Sequence, residues 1–545
     1  MIRAALQAAL EQALATIGVP APASGVVVEP GRQREHGEFA SPVAMQAAKA
    51  AGRPPRDVAE RLRAALLADP PQHLVDIDVA GPGFLNFHLA PSWLHEVLTD
   101  VVEQGERFGT GTVLAGERIN LEFVSANPTG PLHAGGGRWV AVGDAIANLL
   151  AAQGAEVHRE YYLNDAGSQL DKFRDSLMAR YEGVEPPEDG YHGAYLVEMA
   201  TQLRAELGDA VSPADACEWG YRAVVRELRT DLARIGVEFD TWFSERTLHE
   251  RGDVDDVLRV LAERGFTYEH EGATWFRSSD FGDTRDRVLI RSDGTTTYLC
   301  NDLAYHRDKL RRGWTHLIDI WGADHHGQVK SVRGGLRAVA DVDGEPEILL
   351  GQLVKLVRDG VEVKLSKRAG TVVTLADILD EVDPDAARLT FLMQSIDTPL
   401  TFDLEVVTAQ SMDNPVYYVQ MAHARMASIG RRAREHGVTR SPLADVDLGR
   451  LDHEREHDLL RAMAQYPDVV TDAALTRAPH KITGWVRDFA SRFHGFYHDC
   501  RVLTDDDELT QARLWLGEAC RIVLADALSL LGVHAPDEMP RLDEA

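Results

Sequence analysis

Apolar residues recur with two different spacings in the first 92 residues. Apolar residues at helical spacing begin the chain: Leu6, Leu10, Ala13, Leu14 and Ile17. This spacing predicts an amphipathic helix. Residues 75–79 and 84–89 instead alternate with period two, and Gly81-Pro-Gly83 lies between them, which predicts a pair of strands joined by a turn. We therefore expect a small α+β domain over residues 1–92.

The hydrophobic pattern changes near residue 118. Residues 119–124 form a short apolar run that predicts a buried strand, and a loop rich in proline and glycine follows at 125–131. The next apolar residues mark one face of a helix: Trp139, Val142, Ile146, Leu149 and Leu150. A strand, a glycine loop and a helix in this order are typical of a parallel α/β sheet, which binds ligands at the carboxyl ends of its strands.

Later segments complete the predicted domain organisation. Apolar runs at 288–290, 316–321 and 347–354 predict further strands, and residues 165–265 are patterned as a helical insertion. Strand patterns end near residue 384, and Leu, Ala and Val recur at helical spacing over residues 413–534. We expect an α/β domain at 116–383 and an all-α domain at 413–545.

Composition narrows the class of protein. The chain has 545 residues, which is too long for one hydrophobic core. It contains no run of about 18 apolar residues, so the sequence predicts no membrane span. Its four cysteines are scattered without a Cys-x-x-Cys pair, which argues against a zinc site and suits a reducing compartment. We expect a cytoplasmic protein.

The net charge of −29 is unusual for a protein that binds nucleic acid. Taken alone it lowers the expectation of an RNA partner, although it does not exclude a local basic face. Arginine-rich stretches occur at 307–312 and 425–434. Each by itself is best explained as a solvated helix face.

The sequence His-Ala-Gly-Gly-Gly-Arg lies at 133–138, before the predicted helix. Its glycines allow the backbone to approach a ligand closely, and a helix N-terminus favours anions. His133 can hydrogen-bond a phosphate. An ordinary strand-to-helix turn would explain this short motif equally well.

About 230 residues later, Lys-Leu-Ser-Lys-Arg at 364–368 places three cations in a loop that ends at Gly370. Such a cluster suits the negative charge that accumulates on a leaving pyrophosphate. A solvated basic loop is the alternative for this motif alone.

Together the two motifs resemble the paired ATP-binding sequences of class I aminoacyl-tRNA synthetases, His-x-Gly-His and Lys-Met-Ser-Lys-Ser/Arg. One departure is Gly136, which stands where these enzymes usually have a second histidine. Whether His133, backbone amides or Lys367 take over its contacts with ATP stays open.

The flanking sequence resembles the arginyl-tRNA synthetase family within this class. The matching segments lie at 36–41, 122–133, 161–169, 298–302, 322–327 and 414–425. The resemblance extends from about residue 30 to the C-terminus, and its combination of motifs is specific.

The resemblance assigns L-arginine to Glu122, Ser125, Asn127, Tyr298 and Asp302. The planar guanidinium of arginine calls for carboxylates and neutral acceptors, which these side chains supply. If residues 298–302 are helical, Tyr298 and Asp302 face the same side. The alternative for Glu122 is a strand-end acid that pairs with an arginine.

The same resemblance assigns ATP chemistry. The implied catalytic residues are His133, Lys364 and Lys367, and the implied ATP-binding set is His133, Gly135, Gly136, Asp324, His325, Lys364, Ser366 and Lys367. Adjacent histidines at 325 and 326 point in different directions and lack a third ligand, so we expect no protein metal site. Mg²⁺ would arrive with ATP and be held by phosphate oxygens.

Contacts with tRNA are implied at both ends of the chain. Phe84 and Asn86 match the part of the family that contacts the tRNA D-loop, with Phe84 stacking on a base. A core position is the alternative for Phe84. Tyr418 and Arg425 match anticodon-arm contacts, and since Tyr417 and Tyr418 cannot face the same way, at least one of them is expected to be structural.

The resemblance thus implies a multidomain protein. It combines a Rossmann-like parallel-sheet catalytic domain with a helical insertion, a small N-terminal α+β domain and an all-α C-terminal helical bundle. The implied activity is ATP-dependent charging of tRNA(Arg) with L-arginine by a monomer. Two alternatives stay open: a related enzyme that acts on a different amino acid or acceptor, and a tRNA-binding protein without catalysis.

Overall fold

The computed structural model describes residues 2–31, 36–339, 344–363 and 373–539. The chain divides into two compact units. Unit 1 comprises Met1–Gly105, Ile429–Gln465 and Gly495–Ile522, and unit 2 comprises Glu106–Ser428, Tyr466–His494 and Val523–Ala545.

The strands, numbered in chain order, are β1 (Glu29–Pro30), β2 (Phe39–Ser41), β3 (Leu74–Ala80), β4 (Phe84–Leu89), β5 (Arg118–Glu122), β6 (Glu156–Leu163), β7 (Thr241–Ser244), β8 (Thr267–His270), β9 (Ala273–Phe276), β10 (Arg287–Ile290), β11 (His316–Gly322), β12 (Glu347–Gly351), β13 (Val354–Arg358), β14 (Val361–Glu362) and β15 (Leu400–Asp403).

The α-helices are α1 (Ile2–Thr16), α2 (Val43–Ala51), α3 (Pro55–Ala68), α4 (Ser92–Gln104), α5 (Gly136–Ala152), α6 (Ser168–Glu182), α7 (Tyr195–Leu207), α8 (Pro213–Arg234), α9 (Arg246–Glu250), α10 (Asp253–Glu263), α11 (Tyr298–Arg311), α12 (Val329–Val339), α13 (Leu375–Glu381), α14 (Pro384–Phe391), α15 (Leu404–Thr408), α16 (Pro415–Glu435), α17 (Glu454–Leu475), α18 (His480–Asp499) and α19 (Asp507–Leu530).

Unit 1 contains an antiparallel sheet in the order β1-β2-β4-β3. The central strand β4 buries Leu85 and Phe87, while the amphipathic helix α1 buries Leu6 and Leu10. The period-two and helical patterns of residues 1–92 therefore form the expected α+β arrangement.

Unit 2 contains a five-stranded parallel sheet in the order β12-β11-β5-β6-β7. Strand β5 lies in the middle of this sheet, in agreement with the complete burial of Ile119 and Leu121 and of Phe123, which directly follows the strand. Helix α5 follows β5 and packs on the sheet, as the apolar face that includes Ile146 and Leu149 predicts. The expected fold class is confirmed.

The predicted strand at 316–321 is confirmed as β11, two other strand predictions were wrong in detail, and two strands were not predicted. The run at 288–290 belongs to β10, in a separate antiparallel sheet with β9 and β8. The run at 347–354 is divided at Gly351, and β13 belongs to a third sheet together with β14 and β15. Strand β7 falls in a segment expected to be helical, and β15 falls after residue 384, where no strand was expected. Strands of four residues carry too little periodicity to be recognised.

The described residues after β15 are helical or irregular, in agreement with an all-α C-terminal region. No helix among the described residues has the length and apolarity needed to span a membrane.

Candidate active site

Four neighbouring strands of the parallel sheet bring acidic side chains to their carboxyl ends. Glu122 ends β5, Glu160 lies near the end of β6, Glu245 directly follows β7, and Asp319 lies on β11. All four residues are buried. Since parallel strands end at the same edge of a sheet, residues far apart in sequence form one acidic group.

Lys309, on α11, is the cation at the centre of this group. Its Nζ donates to Glu122 Oε2 at 2.6 Å and to Asp319 Oδ1 at 2.7 Å, and it is fully buried. His306 Nε2 lies 2.8 Å from the other oxygen of Asp319. Burial raises the pKa of Glu122, whereas for Asp319 burial is outweighed by Lys309 and His306, which hold its pKa below the usual range.

The alternative for Glu122, a strand-end acid paired with a cation, is therefore partly realised. Its partner is Lys309 and not an arginine. The ammonium is shared with Asp319, which also pairs with His306.

Glu160 is fully engaged within the protein. Arg312 donates to both of its oxygens at 2.7 Å, and the Tyr305 hydroxyl donates to Oε1 at 2.8 Å. Burial alone would raise the pKa of Glu160, but its hydrogen bonds lower it far below the usual range. Glu160 thus supports the site structurally and is not available to a ligand.

Tyr298 and Asp302 lie one turn apart at the start of α11, so the condition for their facing the same side is met. Tyr298 is 45% exposed and Asp302 is half-buried. Burial raises the pKa of Asp302 to about 6, with His306 opposing and Glu122 reinforcing this shift. Within the described residues no lysine or arginine forms an ion pair with Asp302.

Glu245 is a carboxyl near Asp302 that no pattern in the sequence indicates. It accepts hydrogen bonds from the Tyr162 hydroxyl at 2.5 Å and from Asn301 Nδ2 at 2.8 Å. Burial raises the pKa of Glu245 to about 7, and the nearby Asp302 adds to the shift. Asp302 and Glu245 are therefore acids whose ionised forms lack a lysine or arginine partner among the described residues.

The loop after β5 has a strained backbone. Val124 and Ser125 have φ angles of 69° and 39°, which are rare for residues other than glycine and costly for a β-branched side chain. The Tyr162 amide donates to Ser125 Oγ at 3.0 Å, and the Ala126 amide donates to the Tyr161 hydroxyl at 3.0 Å. Asn127 is exposed at the tip of this loop.

His133 is oriented by its own loop. The Gly135 amide donates to His133 Nδ1 at 2.9 Å, so the neutral ring carries its proton on Nε2. Helix α5 begins at Gly136. A histidine donor and a helix N-terminus therefore occur together at the end of the central strand, as an anion site requires.

The same loop binds the chain that follows the second motif. The Ala134 amide donates to the Val373 carbonyl at 3.0 Å, and the Leu375 amide donates to the Leu132 carbonyl at 2.7 Å. Lys364, Ser366 and Lys367 lie outside the described residues. The described chain on their C-terminal side is nevertheless hydrogen-bonded to the His133 loop.

Gly136, which replaces the second histidine of the motif, packs against Leu132. A Cβ atom at Gly136 would lie 2.7 Å from Leu132 Cδ1, and Leu132 is buried. A larger residue at 136 would require Leu132 to move.

Asp324 and His325 follow β11 in a short 3-10 helix and are exposed. Their strand is adjacent to β5, so they flank the site on the side of β11. The described residues contain no group of three His, Cys, Asp or Glu side chains arranged to hold a metal ion.

The two D-loop candidates differ in exposure. Phe84 is 39% exposed, so its interpretation as a core residue was wrong, whereas Asn86 is buried beside it on β4. Their contacts with RNA stay a prediction.

Tyr417 is buried and Tyr418 is half-buried, which confirms that at least one of them is structural. The Tyr418 ring packs edge-on against His494 with 4.7 Å between centroids, and Arg425 Nη1 lies 3.0 Å from His494 Nδ1. The structure thus joins the two anticodon-arm candidates through a histidine from α18, although their role stays a prediction.

The interpretation of 307–312 as a solvated helix face was wrong. Arg307 and Lys309 are buried, and Arg307 pairs with Asp256 at 2.7 Å. A signal for this was present, because Tyr298, Asp302, Tyr305 and Lys309 recur at spacings of four, three and four residues. This spacing places polar side chains along one face of a helix.

Three family models match the chain. The arginyl tRNA synthetase N terminal domain matches residues 2–89, the class I (R) tRNA synthetase catalytic domain matches 213–405, and the DALR anticodon binding domain matches 419–539.

Curated relatives match over nearly the whole length. An arginine–tRNA ligase of Frankia alni is 47% identical over 530 residues, covering 94% of this chain and 95% of the relative. Arginine–tRNA ligases of Geobacillus thermodenitrificans and Bacillus subtilis are 45% and 42% identical, each alignment covering 94% of both chains.

Solved structures of arginyl-tRNA synthetases are also similar to this chain. A putative arginyl-tRNA synthetase from Campylobacter jejuni superposes with a TM-score of 0.76 at 33% identity, covering 83% of this chain and all of the other. The Thermus thermophilus enzyme, at 22% identity, shares the fold with a TM-score of 0.73 over 99% of this chain and all of the other. With relatives above 40% identity along almost its entire length, the chain belongs to the arginyl-tRNA synthetase family of class I aminoacyl-tRNA synthetases.

Proposed function

We propose that the chain activates L-arginine with ATP and transfers the arginyl group to the 3′ end of tRNA(Arg). In the first step a carboxylate oxygen of arginine bonds to the α-phosphorus of ATP, and the bond to pyrophosphate breaks. In the second step a terminal ribose hydroxyl of the tRNA attacks the arginyl carbonyl, and AMP leaves.

The observation that carries this proposal is that two carboxyls at this edge of the sheet, Asp302 and Glu245, have no lysine or arginine partner among the described residues. Both carboxyls have raised pKa values because of burial, and neither forms an ion pair with a lysine or arginine in the described chain. A guanidinium is planar, always charged and rich in donors, so it can hydrogen-bond several carboxylates at once. Glu122 and the Tyr298 hydroxyl complete the proposed guanidinium site.

The opposite end of arginine would lie at the loop after β5. Ser125 and Asn127 are the polar side chains there, and we assign them to the α-amino and carboxylate groups. The hydrogen bonds of Ser125 and Ala126 to Tyr162 and Tyr161 hold the strained backbone of this loop in place.

ATP would bind across the N-terminus of α5. His133 Nε2 and the amides of Gly135 and Gly136 would stabilise charge on the α-phosphate, and Asp324 and His325 would flank the nucleotide. Lys364, Ser366 and Lys367 would contact the leaving pyrophosphate. Mg²⁺ would enter with ATP and neutralise phosphate charge, held mainly by phosphate oxygens.

We also propose a monomeric, cytoplasmic enzyme in which Phe84, Asn86, Tyr418 and Arg425 contact the tRNA. Charging of total tRNA with each radiolabelled amino acid tests the function directly. Incorporation of arginine alone supports it, whereas another amino acid would indicate a related enzyme, and no incorporation would indicate a binding protein.

ATP–pyrophosphate exchange with and without tRNA(Arg) separates the two steps. If the family's usual behaviour holds here, exchange requires the tRNA. Full exchange by the enzyme alone would contradict this part of the proposal.

A further inference from the structure

One exposed face of helix α8 is basic, and it contains none of the residues assigned above. Eight residues of α8 lie on this face. Four of the eight are arginines, namely Arg222, Arg226, Arg229 and Arg234, and none is acidic. This composition is notable in a chain with 86 acidic and 57 basic residues.

Two of these arginines have no carboxylate partner in the described chain. Arg226 is exposed, and its side chain forms no hydrogen bond or ion pair with the described residues. The Arg229 guanidinium lies over the Trp242 ring at 4.7 Å and likewise has no acidic partner there. By contrast, the outer two are paired, Arg222 with Glu218 and Arg234 with Asp380.

This face of α8 is connected to the proposed arginine site through two stacked aromatic rings, the first of which lies under Arg229. Trp242, on β7, stacks on Tyr161 with 4.3 Å between centroids, and the Tyr161 hydroxyl hydrogen-bonds to Ala126. Ala126 lies between Ser125 and Asn127. A continuous chain of contacts therefore joins Arg229 to the loop proposed to hold the α-amino and carboxylate groups of arginine.

We propose that the arginine face of α8 binds phosphates of the tRNA backbone near its acceptor end. The identity of the RNA rests on the proposed function. Arginine is favoured because its planar fork hydrogen-bonds phosphate oxygens. Arg226 and Arg229, the two without a carboxylate partner in the described chain, lie three residues apart, about 5 Å along the helix since each residue adds about 1.5 Å, so they can contact neighbouring phosphates. RNA is favoured over an acidic protein because, under the proposed function, the tRNA must bring its 3′ end to the loop that this chain of contacts reaches.

Arg226→Gln is the primary test, because Arg226 has no partner in the described structure whose loss would affect folding. Arg285→Gln is the matched control, since Arg285 is also exposed and without an ion pair in the described chain. Affinity for tRNA(Arg) is measured at several salt concentrations, together with thermal unfolding. We expect Arg226→Gln to weaken binding about fivefold and to reduce the salt slope by about 1, with Arg285→Gln unchanged.

The double variant Arg226→Gln/Arg229→Gln should reduce the slope by about 2. If loss of the Arg229–Trp242 contact lowers thermal stability, the single Arg226 variant decides alone. If Arg226→Gln binds tRNA(Arg) with the affinity and salt slope of the wild type, the inference is wrong. It is also wrong if Arg226→Gln loses binding of polyglutamate, a probe for an acidic protein partner, while it retains binding of tRNA(Arg).

These failures are distinguishable from failure of the proposed function. A wild-type protein that does not charge tRNA(Arg) contradicts the function. A wild-type protein that charges it normally, with variants that bind it equally well, contradicts the α8 surface alone.

Discussion

Lys309 Nζ lies 2.6 Å from Glu122 Oε2, although the two residues are 187 positions apart in the sequence. The same ammonium bonds Asp319 at 2.7 Å. Helix α11 therefore supplies the cation that allows an acid to be buried at the end of the central strand. Since Lys309 and His306 both face Glu122 and Asp319, the acid at this edge that is left for a cationic substrate is Asp302, which has no lysine or arginine partner among the described residues.

Replacing Lys309 with methionine should destabilise the protein. Glu122 and Asp319 would remain buried without their cation, and such a loss typically costs about 3–5 kcal/mol. Urea unfolding monitored by tryptophan fluorescence measures the effect. The triple variant Lys309→Met/Glu122→Gln/Asp319→Asn should recover part of it, and equal stability of Lys309→Met and wild type would contradict the ion-pair account.

Replacing Asp302 with asparagine should weaken arginine binding selectively. The guanidinium would lose a charged partner, so we expect KM for arginine to rise by about 30-fold or more. KM for ATP should change little. Tyr298→Phe removes only a hydroxyl and should raise KM for arginine by about fivefold. Steady-state charging of tRNA(Arg) measures both, and an unchanged KM for arginine in Asp302→Asn would exclude Asp302 from the site.

Arginine affinity should increase with pH. The pKa values of Asp302 and Glu245 are raised to about 6 and about 7 by burial, so both carboxyls are largely neutral at pH 5 in the free protein. The guanidinium favours the ionised forms, so binding should release protons and strengthen between pH 5 and pH 7.5. Each carboxylate contributes up to about tenfold per pH unit below its pKa.

Isothermal titration calorimetry in buffers of different ionisation enthalpy detects both the affinity and the released protons. Glu245→Gln should remove the upper part of the pH dependence. An affinity that is constant over this range, without proton release, would show that these carboxyls do not contact arginine.

Lys367→Ala should slow adenylate formation about 100-fold or more with little change in arginine affinity, because its proposed contact forms with the charge on pyrophosphate. Rapid-quench kinetics in the presence of tRNA(Arg) measure this step. Lys355→Ala is a suitable control, since Lys355 is exposed and paired with Glu362 on the neighbouring strand. A loss confined to arginine affinity would contradict the assigned role.

The sequence was sufficient where the signal is local. Helical spacing predicts α1 and α5, and alternation predicts β3 and β4, because each pattern needs only neighbouring residues. The placement of Tyr298 and Asp302 on one side of a helix followed in the same way. Short strands such as β7 were missed, and Glu245, which directly follows β7, was missed with it.

The outcome for Lys309 shows the limit of local patterns. A lysine in an arginine-rich helix is usually solvated, and the spacing of Lys309 from Tyr298, Asp302 and Tyr305 indicates only a shared helix face, without showing what covers that face. Its burial depends on Glu122 and Asp319, which two other strands bring to the same edge of the sheet.

By itself the sequence determined the types of its long elements, the two ATP motifs and the resemblance to the arginyl-tRNA synthetases, because these reside in contiguous residues. The tertiary structure alone decided which acids are neutralised internally and which are left for a substrate. Glu160 forms an ion pair with Arg312, while Asp302 and Glu245 have no lysine or arginine partner in the described chain. The physical reason is that the charge state of a buried group depends on its desolvation and its nearest charges, and these are supplied by residues distant in sequence.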